Sequence, residues 1–112
     1  MIIARRVLYI VEDTNKNPVP VSIEAPVQDQ PDECWICGVS VHWPDRVYRM
    51  RMVGVDAFMA LDLAMKTIGS YLYTSGYHRA GVLEWMKPGA GYGFPIAANL
   101  RDLLVGQDAK DQ

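Results

Sequence analysis

The sequence predicts an α+β fold, in which an antiparallel four- to five-stranded meander is covered on one face by one long helix, with a short C-terminal helix. The first half of the chain alternates apolar and polar residues in runs of strand length, separated by polar turns. The second half contains one long segment, residues 55–77, whose apolar residues recur at three- and four-residue steps. The 112 residues are expected to form a single domain over residues 1–105 and a disordered tail over residues 106–112.

The first two strands are expected at residues 2–12 and 19–26. The first is rich in Ile, Val and Tyr. Both of its faces are largely apolar towards the C-terminal end, which favours an inner strand. The polar residues 13–18 between the two strands predict a hairpin loop. Pro20 and Pro26 cannot donate to a ladder, so the second strand is expected at an edge of the sheet.

The third and fourth strands are expected after a loop at residues 27–33. Alternation is clearest in residues 34–43, where every second side chain from Trp35 to Trp43 is a tryptophan, cysteine or valine. This face is expected to point into the core. Residues 46–53 then continue the meander after a turn that contains proline and aspartate.

The long helix is expected to begin at Asp56, whose carboxylate can accept from the free N–H groups of the first turn. It is expected to end at Gly76, which can adopt the left-handed conformation that terminates helices. Gly69 lowers helix propensity by about 1 kcal/mol relative to alanine, so it predicts a close approach to a neighbouring strand or aromatic ring. The residues expected to face the core are Phe58, Leu61, Met65, Ile68 and Leu72.

After the helix, residues 82–87 are expected to add a short fifth strand, and residues 96–105 a short helix. Between them, residues 89–95 form a glycine-rich loop, in the position where such loops can bind phosphate. The loop lacks the Lys and Ser or Thr of a P-loop and the spacing of a dinucleotide-binding motif. The favoured interpretation is a tight loop whose Tyr92 and Phe94 pack back on the domain, and the alternative is an anion or partner site.

Cys34 and Cys37 form a CxxC motif inside a predicted strand. Residues three apart in a strand point to opposite faces, which opposes both a local disulfide and a shared metal ion. A zinc site needs four ligands, and only His42 and His78 remain as further histidine ligands. The sequence therefore predicts structural thiols and neither a metal nor a cofactor, with metal binding and redox chemistry as less favoured alternatives.

Composition excludes several classes of function. The net charge is −2, and the basic residues are offset by thirteen carboxylates, which argues against binding of nucleic acid. No apolar run approaches the 18 or more residues that cross a bilayer, and arginines interrupt the first apolar run where a signal peptide would be continuous. A cytoplasmic protein without a nucleic-acid or membrane partner is expected.

Aromatic and basic residues gather around the end of the predicted long helix. Ser75 is the only nucleophile near His78 and no acid partner is identifiable, so the pattern does not favour catalysis. Tyrosine and arginine often anchor protein interfaces, so the pattern favours a surface that contacts a protein partner. The residues predicted to form this surface, together with the glycine-rich loop, are Tyr73, Tyr77, His78, Arg79, Tyr92 and Phe94.

Two alternatives remain open. One is a small-ligand binder or enzyme that uses the loop from Gly89 to Pro95 together with His78 and Arg79, for which a pocket at these groups would be evidence. The other is a homodimer that assembles through an exposed strand edge or aromatic surface.

The chain also resembles a family of short bacterial proteins of unknown function over nearly its whole length. The residues that carry this resemblance are Gly54, Asp56, Ala60, Leu61, Leu63, Ala64 and Ile68 in the helix, and Gly93, Phe94 and Pro95 in the loop. The resemblance implies no catalytic residues. The helix pattern is also similar to that of small immunity proteins that neutralise secreted bacterial toxins, which implies by analogy a toxin partner and neutralisation by occlusion.

Overall fold

A computed structural model describes residues 1–30 and 33–111, apart from the side chains of residues 99, 101 and 111. The strands are β1 (Ile2–Glu12), β2 (Asn15–Glu24), β3 (Val27–Gln28), β4 (Trp35–His42), β5 (Val47–Gly54) and β6 (Leu83–Glu84). The helices are α1 (Ala57–Tyr73), α2 (Gly76–Arg79) and α3 (Gly106–Asp111), with a 3₁₀ helix at Ala98–Leu103. Residues 31 and 32 of the expected second loop lie outside the described residues.

The strands form one sheet, and each of its ladders is antiparallel. β1, β2, β4 and β5 pair in succession, as the predicted meander requires. β3 pairs with β4 beside β2, and β6 pairs with β1 at the expected fifth strand. The predicted α+β class is confirmed, but the described part of the chain has six strands rather than four or five, because β3 is a two-residue strand too short to predict from alternation.

The predicted edge position of β2 is wrong for the strand as a whole. β1 lies on one side of β2 and β4 on the other, but β4 pairs only with the three residues Val21, Ser22 and Ile23. Pro18 and Pro20 precede this stretch and have β1 as their only paired strand. The prolines therefore occupy the half of β2 that is locally an edge, where a missing N–H removes no ladder bond.

The predicted core face of β4 is confirmed. Cys37, Val39, Val41 and Trp43 are buried, and Trp35 packs against them at the start of the strand. α1 covers this face, lying mainly across β4 and β5. α1 does not cover the same face of β1 and β2. The segment with Phe94 and Ile96 covers part of that face, and the rest is open.

α1 begins as predicted, because the Asp56 carboxylate accepts from the Met59 N–H at 2.8 Å. The predicted core stripe is only partly correct. Phe58 is 84% exposed and Met65 is 39% exposed, whereas small residues occupy the buried side. Alanine lets the helix axis approach the sheet more closely than a larger side chain would. The buried residues of α1 are Ala60, Ala64, Ile68, Gly69, Leu72 and Tyr73.

The predicted end of the long helix at Gly76 is also wrong. α1 is capped at Thr74, and Ser75 then caps a second, four-residue helix that begins at Gly76. The Ser75 hydroxyl accepts from the His78 N–H, so the chain restarts a helix where a left-handed residue was expected.

Gly69 confirms the predicted close approach, although its neighbour is neither a strand nor an aromatic ring. A Cβ atom at Gly69 would lie 2.0 Å from the Pro95 carbonyl oxygen and 2.8 Å from the Ile96 Cγ2 atom. The segment after the glycine-rich loop therefore crosses directly over α1. No side chain larger than hydrogen fits there without movement of backbone.

The C-terminal end differs from the expected disordered tail over residues 106–112. Gly106–Asp111 form α3, and the Asp108 side chain is buried against the domain. Gln112 lies outside the described residues. The helix expected at residues 96–105 is present as a shorter 3₁₀ helix.

We expect Gly69→Ala to lower the free energy of unfolding by about 1–3 kcal/mol, because the new methyl group overlaps the Pro95 carbonyl. Urea unfolding followed by circular dichroism measures the change. Gly76→Ala is the matched control, since nothing lies within 4 Å of its Cβ position, and its stability should be unchanged or higher by less than about 1 kcal/mol. Equal effects of the two substitutions would contradict the packing of α1 described above.

Candidate functional site

A buried carboxylate organises the region around the end of α1. Asp108 is 3% exposed, and its Oδ2 atom accepts from the Tyr73 hydroxyl at 2.6 Å and from the Tyr92 N–H at 2.8 Å. Its Oδ1 atom accepts from the Gly93 N–H at 2.9 Å. Three donors compensate the loss of water around the charge, so Asp108 fixes α3, α1 and the glycine-rich loop to one another.

The glycine-rich loop is shaped by this carboxylate. Gly91 has a φ of 88°, and a Cβ atom there would lie 2.6 Å from the Asp108 Oδ2 atom. The loop can therefore approach Asp108 only with glycine at this position. This is the tight-loop interpretation, in which Tyr92 and Phe94 are buried against the domain.

Tyr92 joins the loop to the helix end. Its hydroxyl hydrogen-bonds the His78 Nδ1 atom at 2.5 Å and lies 3.4 Å from the Leu83 carbonyl oxygen. The Tyr73 ring contacts both the His78 and the Tyr92 rings, with centroids 4.8 and 4.9 Å away. We call Tyr73, His78, Tyr92 and Asp108 the helix-end cluster.

The pKa shifts in the helix-end cluster favour neutral side chains. Burial raises the pKa of Tyr73, and the hydrogen bond to Asp108 raises it further. Burial and the charge of Asp108 likewise raise the pKa of Tyr92. Burial lowers the pKa of His78. Both tyrosines therefore remain hydrogen-bond donors near neutral pH, and the neutral His78 can accept from Tyr92 with its proton on Nε2.

The arrangement does not activate Ser75 as a nucleophile. Its hydroxyl donates to the Leu72 carbonyl at 2.7 Å and accepts from the backbone N–H of His78, not from the imidazole. Nucleophilic catalysis would require the imidazole to accept the serine proton. Ser75 serves instead as the cap of α2.

A cavity of about 260 Å³ lies beside the helix-end cluster. Its polar side chains include those of His78 and Glu84, and the glycine-rich loop forms another wall through Gly89 and Gly91. Arg79 does not line it and is exposed on α2. The cavity volume is below the range of about 300–1,000 Å³ that holds drug-sized ligands.

The six residues predicted to form a contact surface do not form one continuous surface. Tyr73, His78 and Tyr92 come together in the helix-end cluster. Tyr77 lies apart from it, stacked on Trp43 with ring centroids 4.8 Å apart, and Arg79 is exposed. The sixth is Phe94, which is buried.

Phe94 packs against Arg6, which no local sequence pattern indicates as a site residue. The Arg6 guanidinium lies over the Trp85 and Phe94 rings, at 4.0 and 4.6 Å from their centroids, and donates to the Tyr92 carbonyl at 3.0 Å. Burial lowers the pKa of Arg6, and the charge of Asp108 opposes this effect. Asp108 and Arg6 were missed because each acquires its partners only from distant parts of the chain.

A second concave surface is lined by β1 and α1 together. It is an apolar groove of about 310 Å³ between the first half of β1 and α1. Ile3 and Met65 at this groove are both partly exposed, and Phe58 stands seven residues, or about two helical turns, before Met65 on a similar side of α1. We call it the β1–α1 groove, and its apolar lining includes Ile3, Ile23, Leu61, Met65, Ile68 and Phe94.

The CxxC residues have separate environments. Cys37 is buried in β4, and its thiol donates to the Glu24 carbonyl at 3.2 Å, while Cys34 precedes the strand. Burial raises the pKa of the Cys37 thiol, which lowers its reactivity. Within residues 1–30 and 33–111, no group of three or more His, Cys, Asp or Glu side chains is placed to hold a metal ion.

We expect Asp108→Asn to lower the free energy of unfolding by about 2–3 kcal/mol. Both carboxylate oxygens accept hydrogen bonds, so an amide NH₂ group in either position faces an N–H or O–H donor. Urea unfolding measures the change. Asp102→Asn is the control, because Asp102 is exposed, and it should stay within about 0.5 kcal/mol of the wild type. An unchanged free energy of unfolding for Asp108→Asn would contradict the stabilising role of these three hydrogen bonds.

Stability should also depend on pH through His78. Since burial lowers its pKa below the usual value of about 6.5, the unfolded chain binds this proton more readily than the folded chain does. The contribution of neutral His78 is fully present above about pH 6.5 and is lost as pH falls through the lowered pKa. Urea unfolding across this range should show a smaller loss of stability for His78→Gln than for the wild type, and an equal loss in the two proteins would contradict this prediction.

Comparison with known protein families matches residues 4–96 to a domain of unknown function, DUF6968. Neither the curated proteins nor the solved structures include a significant match. Among the described residues, no helix is long and apolar enough to cross a membrane. The match covers the chain from the third residue of β1 to the end of the glycine-rich loop, which includes most residues that line the β1–α1 groove and the cavity beside the helix-end cluster. Since it spans well over half of the chain, the protein belongs to the DUF6968 family.

Proposed function

We propose that the protein is a small binding domain for another protein, and that the β1–α1 groove is the place where it makes contact. The observation that supports this proposal is the groove itself, an apolar concave surface with exposed apolar side chains beside it. Burial of such surface on association is favourable by about 25 cal/mol per Å². Apolar surface of this kind is typical of sites where proteins bind partners.

The proposed contact surface differs from the six residues selected from the sequence. Tyr73, Tyr92 and Phe94 are buried, so they offer a partner little surface. Tyr77 and Arg79 remain accessible and lie away from the groove. Their contact with a partner bound in the groove would be peripheral. Neutralisation of a toxin by occlusion is a concrete form of this function, and the cytoplasmic location expected from the sequence remains a prediction.

A small-ligand site is the second candidate. The cavity beside the helix-end cluster supports it, because a histidine, a carboxylate and a glycine-rich backbone converge there. The cavity is small, and the hydroxyl proton of Tyr92 is engaged with His78 or the Leu83 carbonyl. These features favour a small polar ligand over catalysis by the helix-end cluster.

We expect Met65→Glu to abolish partner binding, because it places a charge in the apolar lining of the groove. The tagged protein captures its partner from an extract of its own cells. The partner is then separated from the tagged protein, and its affinity for the wild-type and variant proteins is measured by titration. The affinity for the partner should fall at least about tenfold, which corresponds to about 1.4 kcal/mol.

Met50→Glu is the matched control. Met50 and Met65 are both 39% exposed, but Met50 lies on β5 and does not line the groove. Circular dichroism shows that each variant is folded. Equal binding by the wild type and Met65→Glu would contradict the proposed surface, and recovery of a small molecule instead of a protein would favour the cavity.

A further inference from the structure

The first half of β1 has an unpaired outer edge. β6 pairs only with Tyr9 and Ile10, and none of the described strands pairs with β1 before Tyr9 on that side. Residues 1–5 are exposed. An open edge of this kind can accept an additional strand from another chain.

The pairing with β2 shows which backbone groups face this edge. Val7 and Tyr9 stand opposite Pro20 and Pro18, and proline has no N–H to give. These are therefore non-hydrogen-bonded pairs, in which the N–H and C=O of Val7 and Tyr9 point away from β2. The Val11 N–H, two residues further along, donates to the Val82 carbonyl on the same outer side at 2.8 Å. By the two-residue period of a strand, the N–H and C=O of Arg5 also point outwards.

β6 stops short of this open edge for a local reason. It runs antiparallel to β1, so its continuation would pass beside Leu8 and Val7. Met86 instead adopts a φ of 65°, and the Lys87 N–H bonds back to the Trp85 carbonyl. The chain therefore turns away after Glu84, and the line of β6 along β1 is left open.

The open edge is continuous with the β1–α1 groove. Residues 3–6 of β1 line the groove, and Leu61 and Met65 of α1 form the opposite wall. Successive side chains of a strand point to opposite faces, so a strand added at this edge would direct every second side chain into the groove. The apolar lining selects apolar residues at those alternate positions.

Charge determines which kind of strand fits. Arg5 is exposed and makes no ion pair within the described part of the chain, and Arg6 follows it on the groove face. An acidic residue on the added strand would meet one of these two cations. A second copy of this chain, paired through the same edge, would instead bring four arginines to one short ladder.

We propose that an extended segment of a partner protein, with apolar residues alternating and at least one acidic residue between or beside them, adds to the sheet at Ile3–Val7 of β1. The backbone of the segment pairs with the outward groups of Arg5 and Val7. Its apolar side chains fill the β1–α1 groove, and its carboxylate pairs with Arg5 or Arg6. This inference rests on the proposed protein-binding function and specifies the conformation and charge of the bound segment.

A phage library of random linear 12-residue peptides is the probe. Peptides selected on the tagged protein are synthesised, and their affinities are measured by fluorescence polarisation. Each backbone amide of the best peptide is then N-methylated in turn, which removes one N–H at a time. We expect selected peptides to be acidic with alternating apolar residues, and N-methylation to weaken binding at least about tenfold at every second position only.

The protein variants separate this inference from the proposed function. Arg5→Glu should weaken binding of the peptide at least about tenfold, and Arg49→Glu, at an exposed arginine of β5 outside the groove, should leave its affinity unchanged. Failure to select any peptide, an N-methylation profile without a two-residue period, or a dimer of this chain through β1 would each overturn strand addition. If Met65→Glu still abolished binding of the captured partner, the proposed function would stand without it.

Discussion

The short distance between α1 and the sheet is the constraint on which the rest of the structure depends. Ala60 and Ala64 are fully buried, and Gly69 admits the Pro95 carbonyl where any side chain would collide with it. Because these small residues occupy the contact, the larger Leu61 and Met65 are turned towards β1. The helix covers β4 and β5, and the uncovered face of β1 becomes one wall of the β1–α1 groove.

Asp108 provides the second constraint. A charge is buried at low cost only when donors surround it, and here the donors come from α1 and the glycine-rich loop. The same hydrogen bonds bring Tyr92 against His78 and hold Phe94 near Arg6. The aromatic residues of this region therefore stabilise the domain, and the surface that remains for a partner is the β1–α1 groove.

Local patterns were sufficient for much of the fold. The two-residue period of β4 predicted its core face, because a strand with one buried face must alternate. Asp56 predicted the start of α1 through its own hydrogen bond to the first turn. Gly69 predicted a close approach, since a glycine inside a helix lowers its stability unless packing requires it. Each of these depends on residues close together in the sequence.

The sequence by itself determined the α+β class, the meander and the position of the long helix, because periodicity and capping are local. Only the tertiary structure decided which side of α1 is buried, since a stripe of large apolar residues cannot show that alanines allow the closest contact. It also decided that Asp108 belongs to the core, because its partners Tyr73 and Tyr92 lie 35 and 16 residues away in the chain. The tertiary structure likewise decided the β1–α1 groove, because no local pattern specifies the distance between β1 and α1.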